Sequence, residues 1–192
     1  MKQNINTTLL SGKKAFLFRF IFYLLPNAKI RTRFLKKHKI LGGMGEHVHW
    51  QPRFYPTDPY NLILHDNIAV AANVTFLMHD IINHVFTGIL DKQIWGLKDC
   101  IEVEDNVFIG ANSIICPGVK IGKNSIIAAG SVVVKDVEPG TIVGGNPAKK
   151  IGYFNDLLQK RLILSEKLEH LDKMQRINLA WKEFFEKHGD LT

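Results

Sequence analysis

From Val103 an aliphatic side chain recurs every six residues: Val103, Ile109, Ile115, Ile121, Ile127 and Val133. Four residues after each stands Val or Ser: Val107, Ser113, Val119, Ser125, Ser131 and Val137. The two columns continue upstream with gaps, as Leu64, Val70 and Phe76 beside Ile68, Val74 and Asp80, and as Met44 and Trp50 beside Val48 and Phe54. A helix repeats every 3.6 residues and would scatter these positions. A flat amphipathic strand repeats every two and would not hold small serines at fixed alternate sites. A period of six predicts a solenoid of short strands and turns, in which no repeat buries its apolar face alone. Two interruptions break it, 55–63 with Pro56 and Pro59, and a longer loop at about 81–96.

The rhythm at both ends is helical. Residues 13–25 form an apolar run stopped by Pro26. Asn27 is the expected cap of a second helix carrying Ile30, Phe34 and Leu35 and ended by Gly42-Gly43. Asn155 is the expected N-cap of one amphipathic tail, with Leu158, Leu162, Leu168, Leu171, Met174, Ile177, Trp181, Phe184 and Phe185 on its apolar side. The expected organisation is a helical arm at 1–40, the solenoid at 41–152 and a helical tail at 153–192.

Charge changes the picture of the arm alone. The net charge is +7, yet residues 1–40 carry ten Lys or Arg and no acid, which leaves a mildly acidic body. Phe16, Phe18, Phe20, Phe22 and Tyr23 make the arm too apolar for a nucleic-acid tail, so no nucleic-acid partner is expected. Two readings stay open and are compatible: a cap over the first coil, or a peripheral contact with an anionic membrane, those aromatics facing lipid. No run of 18 apolar residues exists and no leader cleavage site is evident, so the expected location is the cytoplasm, with the inner membrane face open. Cys100 and Cys116 are too few for a disulfide framework and lack metal-cluster spacing.

Ile109-Gly110-Ala111-Asn112-Ser113-Ile114 and the repeats after it resemble the hexapeptide-repeat acyltransferases, as does the closing stretch Gly144-Gly145-Asn146-Pro147-Ala148-Lys149-Lys150-Ile151. The nearest resemblance is to maltose- and galactoside-type and capsular polysaccharide O-acetyltransferases, and it covers about 60–152. It implies an all-β solenoid, a left-handed parallel β-helix with three hexapeptides per coil. Residues 18 apart then stack: Ile109 on Ile127, Ile115 on Val133, Ser113 on Ser131. It further implies acetyl-CoA as co-substrate, a saccharide or polysaccharide-precursor acceptor, a homotrimer with each site between two subunits, and no metal.

The same resemblance places the chemistry. His79, in Val74-Thr75-Phe76-Leu77-Met78-His79-Asp80, stands where the repeat opens into the longer loop, the place of the family's catalytic histidine. Its implied role is general base, because imidazole ordinarily titrates near pH 6.5 and can take a hydroxyl proton near neutrality. The group that orients it stays open among Asp58, Asp66, Asp80 and a backbone carbonyl; Asp80, on the inward column, reads better as a corner residue. Implied acceptor contacts are Gln51, where the family has an asparagine, Asp58 near its acidic position, Phe108 where it has an indole, and the loop residue His84. Arg53 and Asp58 equally fit a structural loop pair. Small Ala111, Ala129 and Gly130 would let the pantetheine arm run close, with Val134 and Lys135 on the next edge, and Lys135, Lys149 and Lys150 would meet the phosphates.

Other readings remain. His79 and His84, with His47, His49 or His65, resemble the zinc ligands of γ-type carbonic anhydrases. An antibiotic- or serine-directed acetyltransferase and an inactive scaffold are the others.

Overall fold

The structure is a computed structural model and describes residues 12–189, with side chains from residue 15. It divides into two compact units, Met1–Phe154 and Asn155–Thr192.

The two hydrophobic columns of the first unit point inward. Val103, Ile109, Ile115, Ile121, Ile127 and Val133 are at most 1% exposed, and Val107, Ser113, Val119, Ser125, Ser131 and Val137 at most 5%. The strands they form are short, and the chain visits three sheets in rotation. The first sheet holds β1 (Gly43–Met44), β3 (Leu62–Leu64), β6 (Ile101–Val103) and β9 (Lys120–Ile121). The second holds β2 (His49–Trp50), β4 (Ile68–Val70), β7 (Val107–Ile109), β10 (Ile126–Ile127), β12 (Thr141–Gly144) and β13 (Lys149–Tyr153). The third holds β5 (Thr75–Phe76), β8 (Ile114–Ile115) and β11 (Val132–Val133). Every pairing is parallel except that of β12 with β13. Residues 18 apart pair, Ile109 with Ile127 and Ile115 with Val133, as expected. Across the long loop the step widens to 39, Ile68 with Val107.

Serine suits the inward corners because it is small and its hydroxyl finds a carbonyl. Ser113 and Ser131 both donate to Ala128 O, at 3.1 and 2.6 Å, and Ser125 donates to Glu138 O at 3.2 Å. No buried hydroxyl among them is left unsatisfied. The outer corners need left-handed backbone, which asparagine tolerates. Asn67, Asn106 and Asn124 adopt it at one corner, with side-chain amides bonded to one another at 2.8 and 2.9 Å.

Departures from expectation cluster outside the repeat. Phe54 is 63% exposed and leaves its column, because the chain turns into Pro56 and Pro59. Asp80 is exposed rather than inward; its Oδ1 accepts the Ile82 N–H at 3.1 Å. The long loop is not irregular throughout: α3 (Ile82–Leu90) lies inside it. Its nine residues are too few to stand out from an apolar run by periodicity.

The arm is α1 (Gly12–Leu24) and α2 (Ala28–Lys37). Asn27 Oδ1 accepts the Ile30 N–H at 3.0 Å, as a cap should. α2 ends at Lys37 rather than at Gly42-Gly43, where the chain leaves through His38 and a left-handed Lys39. Phe22 and Leu35, at 0% and 1% exposed, enter the core with Trp50 and Tyr55. Arg19 donates to the carbonyls of Tyr55, Pro56 and Thr57 at 3.3, 2.8 and 3.1 Å. Thr32 Oγ1 accepts the Trp50 N–H at 3.0 Å. The arm therefore covers the first coil. Phe22, and Phe18 in part, face the core and not outward; Phe16, Leu17, Phe20, Ile21 and Leu24 form the bare stripe.

The second unit is not one helix. α4 (Phe154–Leu168) and α5 (Lys173–His188) are separated by a break, and Asn155 lies within α4 instead of capping it. Asp172 and Gln175 form a capping box at α5, and Lys167 pairs with Glu183 at 2.6 Å between the helices. No helix among the described residues is long and apolar enough to cross a membrane.

Candidate active site

His79 follows β5 by three residues. Leu77 N–H donates to Ile115 O and Asp99 N–H to Met78 O, both at 2.9 Å, and His79 pairs with Lys98 in an isolated antiparallel bridge. The excursion is pinched shut at its base, with His79 on one side and Lys98 on the other. The shorter interruption supplies the rest. Its 3₁₀ turn, Pro59–Asn61, is held by Asn61 Nδ2 donating to Asp99 O at 3.2 Å. That turn sets Asp58 Oδ2 at 2.9 Å from His79 Nδ1. The Tyr60 hydroxyl donates to Asp58 Oδ1 at 2.8 Å, and Lys98 Nζ lies 3.5 Å from the same oxygen.

The Asp58 side chain is 14% exposed. Burial pushes its carboxyl upward, but the Tyr60 hydroxyl, Lys98 and His79 outweigh it and hold the group below the usual carboxylate range. Asp58 is thus ionised at neutral pH. The Tyr60 hydroxyl is held above its ordinary value, first by that bond to Asp58. His79 Nδ1 is shut off from solvent, and although 2.9 Å from the carboxylate it makes no aligned hydrogen bond. The contact is a close charge-to-ring pairing that a small ring rotation would align. Among the described residues nothing bonds Nε2, and the ring keeps a third of its surface exposed. One nitrogen faces a half-buried carboxylate and the other is left for a reacting hydroxyl. This is the arrangement a general base needs.

The other expected residues lie elsewhere. Asp58, expected among the acceptor contacts, is against His79, whereas Asp66 and Asp80 serve backbone amides at Glu46 and Ile82. His84 is on α3, exposed. Phe108 is on β7, 44% exposed, in a different sheet from the corner carrying His79. Gln51 follows β2, also in that second sheet, with its amide 3.2 Å from His49 Nε2. The chain alone does not bring Gln51 or Phe108 to His79.

Of the donor-edge residues, the small ones stack at one corner, before the strands of the third sheet; Val134 and Lys135 follow β11 at the other edge of that sheet. The register puts Ala111 under Ala129, and Gly130 N–H donates to Ala111 O at 2.8 Å. Ala72, not singled out in the sequence, continues the same corner, its carbonyl accepting the Asn112 N–H. Ala148 N–H donates to Val132 O at 2.8 Å, which folds the closing stretch against the strand that leads into Val134 and Lys135. Both are exposed, as is Lys149 at the head of β13. Lys150 is engaged locally, its Nζ 4.0 Å from the centre of the Tyr153 ring. No three His, Cys, Asp or Glu side chains among the described residues gather as a metal cluster, and His65 pairs with Glu102.

Tyr60 and Lys98 were not foreseen. Both lie at the margins of the repeat, where no periodicity marks a position; the interruptions themselves were the available signal.

Residues 101–135 match the family model for the hexapeptide repeat of succinyl-transferase. A probable macrolide acetyltransferase of Lysinibacillus sphaericus is 36% identical over 147 residues, covering 68% of this chain and 77% of that protein. Galactoside O-acetyltransferase of Escherichia coli strain K12 is 35% identical over 118 residues, and the chain spans 57% of its length. The crystal structure of a maltose O-acetyltransferase from Clostridium difficile 630 superposes with a TM-score of 0.55 at 25% identity, covering 71% of this chain and 82% of that one.

Proposed function

The chain belongs to the hexapeptide-repeat acetyltransferases, and on that premise we propose that it is an acetyl-CoA-dependent O-acetyltransferase acting on a saccharide hydroxyl. The observation that carries this is the pairing of His79 Nδ1 with the half-buried, ionised Asp58, which leaves Nε2 open. The acceptor hydroxyl gives its proton to Nε2 while its oxygen attacks the thioester carbonyl. Asp58 stabilises the imidazolium that forms. The tetrahedral intermediate collapses, the CoA thiolate leaves, and the imidazolium returns the proton to it.

The donor runs along the corner of Ala111, Ala129 and Gly130 and past Val134, with Lys135 and Lys149 at its phosphates. Lys150, engaged by Tyr153, has the smaller part. Gln51, Phe108 and His84 meet the acceptor, Gln51 and Phe108 from a neighbouring copy. A homotrimer of left-handed coils provides that neighbour. Support comes from the excursion beside His79, where Ile81, Val85, Phe86, Ile89 and Trp95 are 74, 57, 49, 70 and 85% exposed. Such a surface needs a cover. The bare stripe of α1 (Phe16 is 73% exposed) and the basic arm suit an anionic membrane surface, and with it an acceptor in capsular or other surface polysaccharide synthesis at the cytoplasmic face.

The relative named as a probable macrolide acetyltransferase favours a second reading, with a macrolide hydroxyl as acceptor. CoA thiol release over saccharides, polysaccharide precursors and macrolides separates the two. An undiminished His79→Ala variant would remove the general base from the proposal.

A further inference from the structure

A cavity of about 620 Å³ opens between the start of α2 and the corner after β2. Lys29, Arg31 and Arg53 line it with His49, Gln51 and Asn73, and no Asp or Glu does. Arg31 is only 6% exposed. One of its terminal N–H groups donates to Leu25 O at 2.8 Å, while its Nε is buried without a partner. Among the described residues no carboxylate pairs with it. Burial, and then the charge of Arg53, push its guanidinium below the ordinary value. A buried cation beside a second cation is a costly arrangement unless an anion joins it.

The start of α2 adds to this. Asn27 Oδ1 takes the Ile30 N–H, and the Arg31 N–H bonds Asn27 O, so the first-turn N–H groups of Ala28 and Lys29 remain for a ligand. Three cations and a helix start, with no acid, fit a dianion better than a singly charged group.

We propose that this cavity binds a phosphate group, carried by the acceptor as a phosphate ester or diphosphate. Gln51 in the same wall puts the phosphate beside an expected acceptor contact; only that assignment to the acceptor rests on the proposed acetyl transfer, and phosphate binding does not.

The test titrates the full-length protein with pyrophosphate, N-acetylglucosamine 1-phosphate and N-acetylglucosamine, reading heat and melting temperature. The phosphorylated probes bind, the neutral sugar binds at least about tenfold more weakly, and added salt weakens the difference. Arg53→Gln and Lys29→Gln, both at exposed positions, each weaken phosphate binding by about tenfold and leave coenzyme A binding unchanged. Arg31→Gln abolishes phosphate binding if it folds; the two exposed variants decide the matter if it does not. Wild-type protein that ignores pyrophosphate overturns the inference. So do exposed variants that bind phosphate as the wild type does, or that lose coenzyme A equally, which would make the cavity part of the donor site. Turnover of neutral saccharides without phosphate binding sinks the inference and spares the acetyltransferase reading. Phosphate binding with no turnover of any acceptor does the reverse.

Discussion

Replacing Asp58 by Asn tests whether its half-buried carboxylate works through His79. The amide has nearly the same shape, and its oxygen can keep the 2.8 Å bond from Tyr60. What changes is the group 2.9 Å from Nδ1. A carboxylate there favours a proton on Nδ1 and a bare Nε2, and in the proposed reaction it would stabilise the imidazolium. An amide N–H there favours the opposite tautomer, with a proton already on Nε2. Bonds to charged partners contribute about 1.5–3 kcal/mol. His79 is a third exposed and its N–H lies off the line to the oxygen, which argues for the lower half of that range. At ~1.4 kcal/mol per tenfold, kcat falls about 10- to 40-fold. The assay is CoA thiol release at saturating acetyl-CoA and acceptor, with melting temperature as the control for folding. The KM for acetyl-CoA stays unchanged. A kcat within about threefold of wild type in a folded variant refutes the reasoning, and a change confined to the acceptor KM returns Asp58 to the acceptor contacts.

Gly110→Ala destabilises by about 2–4 kcal/mol in urea denaturation, because the added Cβ would lie 2.5 Å from Ala129 N and 2.8 Å from Ile127 O in the next coil. Acid weakens the fold: Asp58, Glu102 and Glu104 are held below their ordinary values. The stability they contribute is complete above the unfolded range near pH 4 and is lost as pH falls through the folded values. Melting temperature should therefore fall from about pH 5 downward, less steeply in Asp58→Asn than in wild type. Lys135→Gln and Lys149→Gln raise the KM for acetyl-CoA several-fold with little change in kcat, whereas Lys150→Gln has a smaller effect; equal effects from all three would contradict the separate placement of Lys150 on Tyr153. Co-expressing His79→Ala with Gln51→Ala restores about a quarter of wild-type turnover if sites form between copies, since a random ring rebuilds that share of intact pairs; no gain over either variant alone counts against a shared site.

The repeat was legible because each inward position is fixed by volume: only aliphatics and serine fill both columns from Val103 to Val137, at most 5% exposed. The stacking of Ile109 on Ile127 follows from the same constraint. Helix ends were less legible. α2 stops at Lys37 because the chain turns through His38 and Lys39 into buried Ile40 and Leu41, a tertiary demand that local glycines do not reveal. The break between α4 and α5 escaped because the apolar rhythm runs across it, although the box of Asp172 and Gln175 marks a new start. At the site His79 could be placed by its position at the end of a repeat. Its partner could not be chosen, because Asp58 reaches it through a 3₁₀ turn in one interruption, locked by Asn61 onto Asp99 at the far end of the other.

On the proposed assignment, that geometry puts the chemistry where the repeat fails. The three sheets enclose a core filled by aliphatic side chains at nearly zero exposure, so no ligand can enter it. The outer faces of such a coil are flat or convex, and binding needs concavity. Among the described residues of the first unit, concave surface is found where something is added to the coil. The cavity of about 620 Å³ lies where the arm meets the first coils, and the His79 cluster lies where the excursion leaves. A third kind of concavity needs a second copy, and the positions of Gln51 and Phe108, in the second sheet and away from His79, require it if they are to meet the same acceptor. The coil then acts as a ruler. Adjacent strands stand about 4.8 Å apart, and Lys135 lies two coils beyond Met78 in register, so its backbone is about 10 Å along the axis from that of Met78, the residue before His79. That distance is set by the strand spacing and by the number of coils between them. An insertion of one coil between β8 and β11 would lengthen it by one strand spacing and, on the proposed assignment, separate Lys135 from His79 without altering either residue.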